Sequence, residues 1–224
     1  MNFLTIVPAR KKSIRFKNKN ISKIKNKPLI EYTLNIIKKL KLKNVIVSTD
    51  SKLILNISKK KNFNIDYKRP LNLSGSKTSM KDTVLHAVDW FEKKNKIKID
   101  HIILLQPTAP IRKLKSIVKI INFYKKNKLK SLSSVSKLRV NNDCILVKSN
   151  KGKFKFLKSK SIFYELDGNI YIISKNFLKK YKNFNVEGKT HFYKTDTKFP
   201  IDINYKEEFT MAKLLIESGT ITTA

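Results

Sequence analysis

The sequence predicts an α/β protein built on a doubly wound, mostly parallel sheet. Over residues 1–136, short and wholly apolar segments alternate with segments whose apolar residues recur at helical spacing. The apolar segments also lack the in–out alternation of a half-solvated strand. Both faces of the sheet are therefore expected to lie under helices.

The elements follow in order. Residues 3–7 (Phe-Leu-Thr-Ile-Val) form a first buried strand that ends at Pro8. Over 28–40, Leu29, Ile30, Leu34, Ile37 and Leu40 share one helical face. Pro28 stands in the first turn, where a missing N–H costs nothing. Residues 45–47 (Val-Ile-Val) give a second strand, closed by Ser48-Thr49-Asp50, and 53–61 a short helix. A longer helix covers 78–94, with Val84, Leu85, Val88 and Phe91 on one face. Residues 102–105 give a third strand, 114–126 an amphipathic helix and 131–136 a fourth strand. After about residue 140, strands at 144–148, 154–157 and 169–173 follow with fewer helices between them. A small mixed β region, about 138–170, is expected to serve as a dimerisation arm. A helix over 205–216 closes a single domain spanning 1–224.

A chain of 224 residues can bury one sizeable core. Its net charge of +34 suggests a polyanion partner, but arginine occurs only at 10, 15, 69, 112 and 139. Readers of nucleic acid rely on arginine's bidentate fork, whereas these lysines are spread along the whole chain. Nucleic acid is therefore not the expected partner, and the charge is read as a chain-wide bias that draws in anionic small molecules. Cys144 is the only cysteine, which excludes an internal disulfide and a Cys-rich metal site. It is expected to be a small buried side chain. No apolar run is long enough for a membrane span, and residues 1–12 lack a signal-peptide layout. A cytoplasmic enzyme with no membrane partner is the expectation.

In open α/β sheets ligands bind beyond the carboxyl ends of the strands. That directs attention to residues 8–20, 48–50, 106–112 and the stretch around Asp202. The 8–20 loop holds six Lys or Arg and carries neither the Walker nor the dinucleotide glycine pattern. On charge alone it reads as a solvated basic loop.

The motifs sharpen this. Val7-Pro8-Ala9-Arg10 is followed by Ser13, Arg15, Lys19-Asn20-Ile21 and Lys27-Pro28-Leu29-Ile30. Val47-Ser48-Thr49-Asp50, Arg69-Pro70 with Leu73, and Leu104 through Arg112 (Leu-Leu-Gln-Pro-Thr-Ala-Pro-Ile-Arg) come next. Asp167-Gly168-Asn169-Ile170-Tyr171 and Ile201-Asp202-Ile203-Asn204 with Glu207-Glu208-Phe209 complete the series. In this order and spacing the series resembles the acylneuraminate cytidylyltransferase family, across nearly the whole chain.

The resemblance implies a fold like that of nucleotide-diphospho-sugar transferases, and transfer of CMP from CTP to an acidic 2-keto sugar with Mg²⁺. It implies that Ala9, Arg10, Ser13, Arg15, Lys19 and Asn20 cradle the CTP phosphates, and that Arg69, Thr78 and Ser79 border the nucleotide. Gln106, Thr108 and Tyr171 are placed at the sugar, and Asp202 and Asn204 at the metal. Arg10, Arg15, Lys19 and Asp202 carry the electrostatic work of phosphoryl transfer. A homodimer is implied as well. The sugar stays open between nonulosonates such as N-acetylneuraminate or legionaminate, with 3-deoxy-manno-octulosonate, or an inactive polyanion-binding homologue, as alternatives.

Several positions depart from the family pattern. Lys11-Lys12 stand where many relatives have glycines, Asn204 where a second metal-site carboxylate is usual, and Glu165 where sialic-acid enzymes often have Arg. Asp50 is expected to cap the next helix. Asp82 and His86 are expected to be structural, and His101 and His191 to form no catalytic group.

Overall fold

The computed structural model describes residues 1–63, 66–140, 144–148, 153–156, 161–221 and 223. A six-stranded sheet runs through the middle of the molecule. Its strands are β1 (Phe3–Pro8), β4 (Val45–Ser48), β5 (His101–Leu104), β6 (Ser131–Lys137), β9 (Tyr164–Ser174) and β10 (His191–Lys194). They lie side by side in the order β10-β6-β9-β5-β1-β4. Every neighbouring pair is parallel except the two that involve β9, which is antiparallel to both β5 and β6. The doubly wound, mostly parallel sheet expected from the sequence is thus present.

Strand alternation explains why the apolar runs are continuous. Leu4 and Ile6 of β1 point into one core, packed on Val84, Ala87, Val88 and Phe91 of α3 (Met80–Asn95). Val7 points the other way, onto Ile30, Leu34 and Ile37 of α1 (Leu29–Lys39) and Ile117, Ile120 and Tyr124 of α4 (Leu114–Lys126). α2 (Lys52–Lys60) joins that second layer through Ile54. With both faces covered, a polar side chain on these strands costs free energy unless it finds a partner; Ser134 Oγ finds Asp167, while Ser136 Oγ has none. A third cluster joins Ile24 and Leu29 to Ile111, Ile201, Ile203 and the inner face of α6 (Lys206–Glu217). It fastens the C-terminal segment beside the ends of β1 and β5.

The expected helices and strands up to residue 136 all form, within about two residues of their expected bounds. Three readings need correction. The strand expected at 169–173 is not part of a separate region: β9 is an interior strand of the main sheet, with Ile172 opposite Ile103 and Leu132. Outside that sheet stand the hairpins β2–β3 (Lys23–Ile24, Lys27–Pro28) and β7–β8 (Leu146–Lys148, Phe154–Phe156). Leu157, at the end of the strand expected over 154–157, lies outside the described residues. Helix α5 (Lys175–Tyr181) and β10 were not anticipated, because their apolar residues are few and follow no clear period. Cys144 is exposed rather than buried.

Candidate active site

β4 lies on one side of β1 and β5 on the other, so the winding order reverses at β1. At such a switch point the connecting loops part and leave a crevice above the strand ends. A cleft of about 530 Å³ opens there. Its walls include Arg10, Ser13, Arg15, Lys19 and Asn20 from the loop after β1, and Arg69 and Thr78 before α3. Gln106 and Thr108 after β5, with Asp202 and Asn204 before α6, complete the set. Segments remote in sequence thus meet as expected.

The basic loop is built from pinned backbone. Asp50 accepts from the Lys11 N–H at 2.6 Å, and Asn20 donates its side-chain amide to the Arg10 carbonyl at 3.1 Å. Arg10 Nη1 reaches across to the Gly75 carbonyl at 2.8 Å. Lys19 Nζ donates to the Ile203 carbonyl at 2.6 Å, tying the loop to the Asp202 segment. Burial holds the Lys19 ammonium below the usual lysine range; Asp202 opposes that shift, while Arg15 and Arg10 add to it. Arg69 is buried under the cleft floor, donating to the Ser48 hydroxyl at 3.0 Å and the Ser48 carbonyl at 2.7 Å.

Asp202 is the chemically conspicuous group. Its Oδ1 is buried and has no hydrogen-bond partner, and its Oδ2 lies 3.4 Å from Asn204 Nδ2. A buried, unpaired carboxylate oxygen is costly unless something else binds it. The segment is held by Ile203 N–H, which donates to the Thr108 carbonyl at 2.7 Å. Gly168, at φ +66°, backs directly onto the carboxylate; an added Cβ there would stand 3.3 Å from Asp202 Cγ. Gly168→Ala is therefore expected to cost about 1–2 kcal/mol for the left-handed backbone and to shift Asp202 as well. Paired denaturant melts and turnover rates check this.

Arg112 lies beneath the cleft, wholly buried. It donates to the Asn169 carbonyl at 2.7 Å, the Thr33 hydroxyl at 2.8 Å, the Gly168 carbonyl at 3.3 Å and the Gln106 carbonyl. Burial lowers its pKa to about 10, against the pull of Asp167 and Asp202. One guanidinium thereby clamps α1, the turn after β5 and the turn within β9. Asp167 completes the support, accepting from Ser134 Oγ at 2.5 Å, Asn169 N–H at 3.0 Å and Thr195 Oγ1 at 2.6 Å.

Four of the expected site residues are placed differently. Ala9 is buried in the core and its N–H is taken by the Ser48 carbonyl at 2.9 Å, so it has nothing to offer a phosphate. Ser79 caps α3, accepting from Asp82 N–H at 3.1 Å, and lies off the cleft lining. Tyr171 is absent from that lining too; its ring stands edge-on to Phe184 at 6.2 Å, and burial beside Asp202 pushes its hydroxyl up to about 12. Asn204 is in the cleft, but Arg15 Nη2 donates to its Oδ1 at 3.0 Å, so the amide oxygen is already engaged.

Sequence reasoning missed two supports. Asp50 holds the basic loop, while Ser51, not Asp50, caps α2. Arg112 closes the 104–112 motif, eight residues after the end of β5, and nothing in its local sequence marks it as buried. Asp82 and His86 are structural as expected: Asp82 takes the α3 cap, and His86 Nδ1 pairs with the Tyr67 hydroxyl at 2.9 Å. His101 pairs with the Tyr124 hydroxyl at 2.9 Å inside the core.

A family model described as cytidylyltransferase matches residues 4–221. Among curated proteins, the chain is 29% identical to post-translational flagellin modification protein B of Campylobacter coli, over 97% of this chain and 96% of that one. It is 27% identical to the CMP-N,N'-diacetyllegionaminic acid synthase of Legionella pneumophila, over 97% of each chain. Among solved structures, a CMP:2-keto-3-deoxy-manno-octonic acid synthetase complexed with CTP superposes with a TM-score of 0.70. That match covers 98% of this chain and all of that one at 13% identity, a likeness of fold.

Proposed function

Since the chain belongs to the cytidylyltransferase family, we propose that it joins the CMP part of CTP to an acidic 2-keto sugar of the nonulosonate class and releases pyrophosphate. The observation that carries this reading is the unpartnered Oδ1 of Asp202, at the rim of a cleft that also gathers Arg10, Arg15 and Lys19. A similarity to a legionaminate-activating synthase over nearly the full length favours the nonulosonate class over the octulosonate alternative.

The roles follow from position. Arg10, Arg15 and Lys19, with Ser13 and Asn20, hold the triphosphate in a region of concentrated positive charge. Arg69 and Thr78 border the nucleoside from the α3 side. Gln106 and Thr108, after β5, orient the sugar so that its hydroxyl approaches the α-phosphorus in line. Pyrophosphate then departs toward the basic loop. The reaction needs placement and charge neutralisation more than a covalent intermediate, and these are what the side chains supply.

Mg²⁺ fits one of the two residues proposed for it. Asp202 offers a free, hard carboxylate oxygen, the donor this cation prefers. Asn204 does not fit as arranged, because its oxygen faces Arg15 and its NH₂ faces Asp202. Bound at Asp202, the cation would neutralise charge developing on the phosphate oxygens. The reaction is expected to run in the cytoplasm, where CTP is made.

A homodimer is also part of the reading. Val135, Tyr164, Leu166 and Phe192 line an apolar groove of about 580 Å³ on the β6–β9–β10 side of the sheet, and Phe154 and Phe156 of the β7–β8 hairpin are exposed. Apolar surface of this kind calls for a cover, and the expected arm, about 138–170, supplies part of it. Leu166→Glu is expected to convert dimer to monomer in sedimentation velocity; an unchanged sedimentation coefficient contradicts the assignment of this face.

Pyrophosphate release with CTP, Mg²⁺ and a panel of acid sugars, against UTP and ATP controls, tests the function. Release with CTP and a nonulosonate alone supports it. Release with octulosonate alone moves the chain to the alternative.

A further inference from the structure

Asn204 has every polar group of its amide engaged. Its Oδ1 accepts from Arg15 Nη2 at 3.0 Å, and its Nδ2 donates to the Asp202 carbonyl at 3.1 Å while lying 3.4 Å from Asp202 Oδ2. Its backbone N–H donates to Glu208 Oε2, which also accepts from Tyr205 N–H at 2.8 Å. The amide has one sensible orientation. Reversed, its NH₂ would face a guanidinium and its oxygen a carboxylate, leaving both contacts repulsive. The guanidinium of Arg15 is fixed from its other side by the Tyr205 ring, 5.1 Å from the centroid. Arg15, Asn204 and Asp202 thus form one hydrogen-bonded series, and Asp202 Oδ1 is the buried side-chain oxygen of the three that has no partner.

We propose that Asn204 is a positioning residue and not a metal ligand, and that the free pocket, with no carboxylate at 204, refuses a divalent cation until a triphosphate is present. The inference rests on the nucleotide reading above. Charge supports it. Without a ligand the cleft sets Arg10, Arg15 and Lys19 against Asp202, and Lys19 feels the attraction of Asp202 and of Glu208 behind it together with the repulsion of the two arginines. Among the described residues, no three acidic, histidine or cysteine side chains converge anywhere. A divalent cation seeks about six oxygens, and this site offers one free carboxylate oxygen amid positive charge. A triphosphate brings further oxygens and reverses the local charge, so nucleotide and cation enter together. A carboxylate at 204 would change the balance. It would face Asp202 as a like charge and, with it, form a two-carboxylate trap that a cation could fill on its own.

Mn²⁺, followed by electron paramagnetic resonance, serves as the probe on the full chain, with and without a non-hydrolysable CTP analogue. Free wild type is expected to bind Mn²⁺ at least about tenfold more weakly than free Asn204→Asp, or about 1.4 kcal/mol. Asn204→Ala removes the amide without adding a carboxylate. Its free form is expected to bind Mn²⁺ as poorly as wild type, and its analogue complex to hold Mn²⁺ within about twofold of the wild-type complex. Circular dichroism confirms that both variants are folded. Equal Mn²⁺ affinity of free wild type and free Asn204→Asp overturns the proposal. So does a tenfold loss of Mn²⁺ from the Asn204→Ala complex, which would make Asn204 a ligand. If CTP fails to bind under any condition, the nucleotide reading fails instead, and the comparison of the free proteins still decides the role of Asn204.

Discussion

Asp202→Asn is expected to lower the rate of CMP transfer by about 10²–10³-fold, the usual cost of removing a preorganised electrostatic group. The carboxylate is the single anionic group among the cleft residues, and its Oδ1 has no partner within the protein. Removing the charge breaks no hydrogen bond of Oδ1 and takes away only the pull of Asp202 on Lys19 and Arg112. The fold and the metal-free affinity for CTP should both survive, because the proposed phosphate-binding side chains Arg10, Arg15 and Lys19 are unchanged. The readouts are kcat under saturating CTP and sugar, and calorimetric CTP binding in the presence of a chelator. A rate within a few-fold of wild type would remove Asp202 from the reaction.

Arg112→Met is expected to destabilise the chain by about 3–5 kcal/mol. A methionine fills much of the arginine volume, so packing is largely kept. What is lost is the donor set that satisfies the carbonyls of Gln106, Gly168 and Asn169 and the hydroxyl of Thr33. Each buried acceptor left alone costs about 1–3 kcal/mol, lessened where water enters. Arg112→Lys should recover only part of this, because one ammonium cannot reach four acceptors set around a planar fork. For a chain of this size the loss corresponds to a fall in Tm of about 6–20 °C. Denaturant unfolding with and without CTP provides the measurement. A loss under 1 kcal/mol would mean the clamp contributes little.

These two predictions differ in how far the sequence foretold them. The family-like motif singles out Asp202, and in the structure its Oδ1 is buried without a hydrogen-bond partner. Arg112 could not be assigned in this way. Its importance comes from three segments that meet only after folding, and no local pattern marks an arginine destined for the interior. Most strands and helices up to residue 136 were legible because both sheet faces are buried, which leaves apolar runs such as Phe3 to Val7, broken only by Thr5, and Ile102 to Leu105. β9 misled for a topological reason. An antiparallel strand inserted between β5 and β6 has the same apolar sequence whether it belongs to the main sheet or to a separate one. Residues 175–194 were opaque because Phe177 and Leu178 are the only fully apolar pair that α5 buries.

The site shows the same division. Cationic side chains of the 8–20 loop reach the cleft as their motif implied, because long polar side chains beyond a strand end have no core to enter. Ala9, Ser79 and Tyr171 were drawn in by their neighbours in sequence, but each already has local work, in packing, capping or ring contact. The resemblance puts Asn204 at the metal; in the structure its amide joins Arg15 to Asp202.

In the proposed reaction a nonulosonate attacks the α-phosphorus of CTP. The direct measurement is to follow CTP labelled at the α-phosphorus and, separately, at the γ-phosphorus, with legionaminate as acceptor. The account predicts that the α-label becomes covalently attached to the sugar while the γ-label leaves in pyrophosphate, and that both events slow together in Asp202→Asn. Transfer of the γ-label to the sugar, or α-label released only as free CMP, would contradict it.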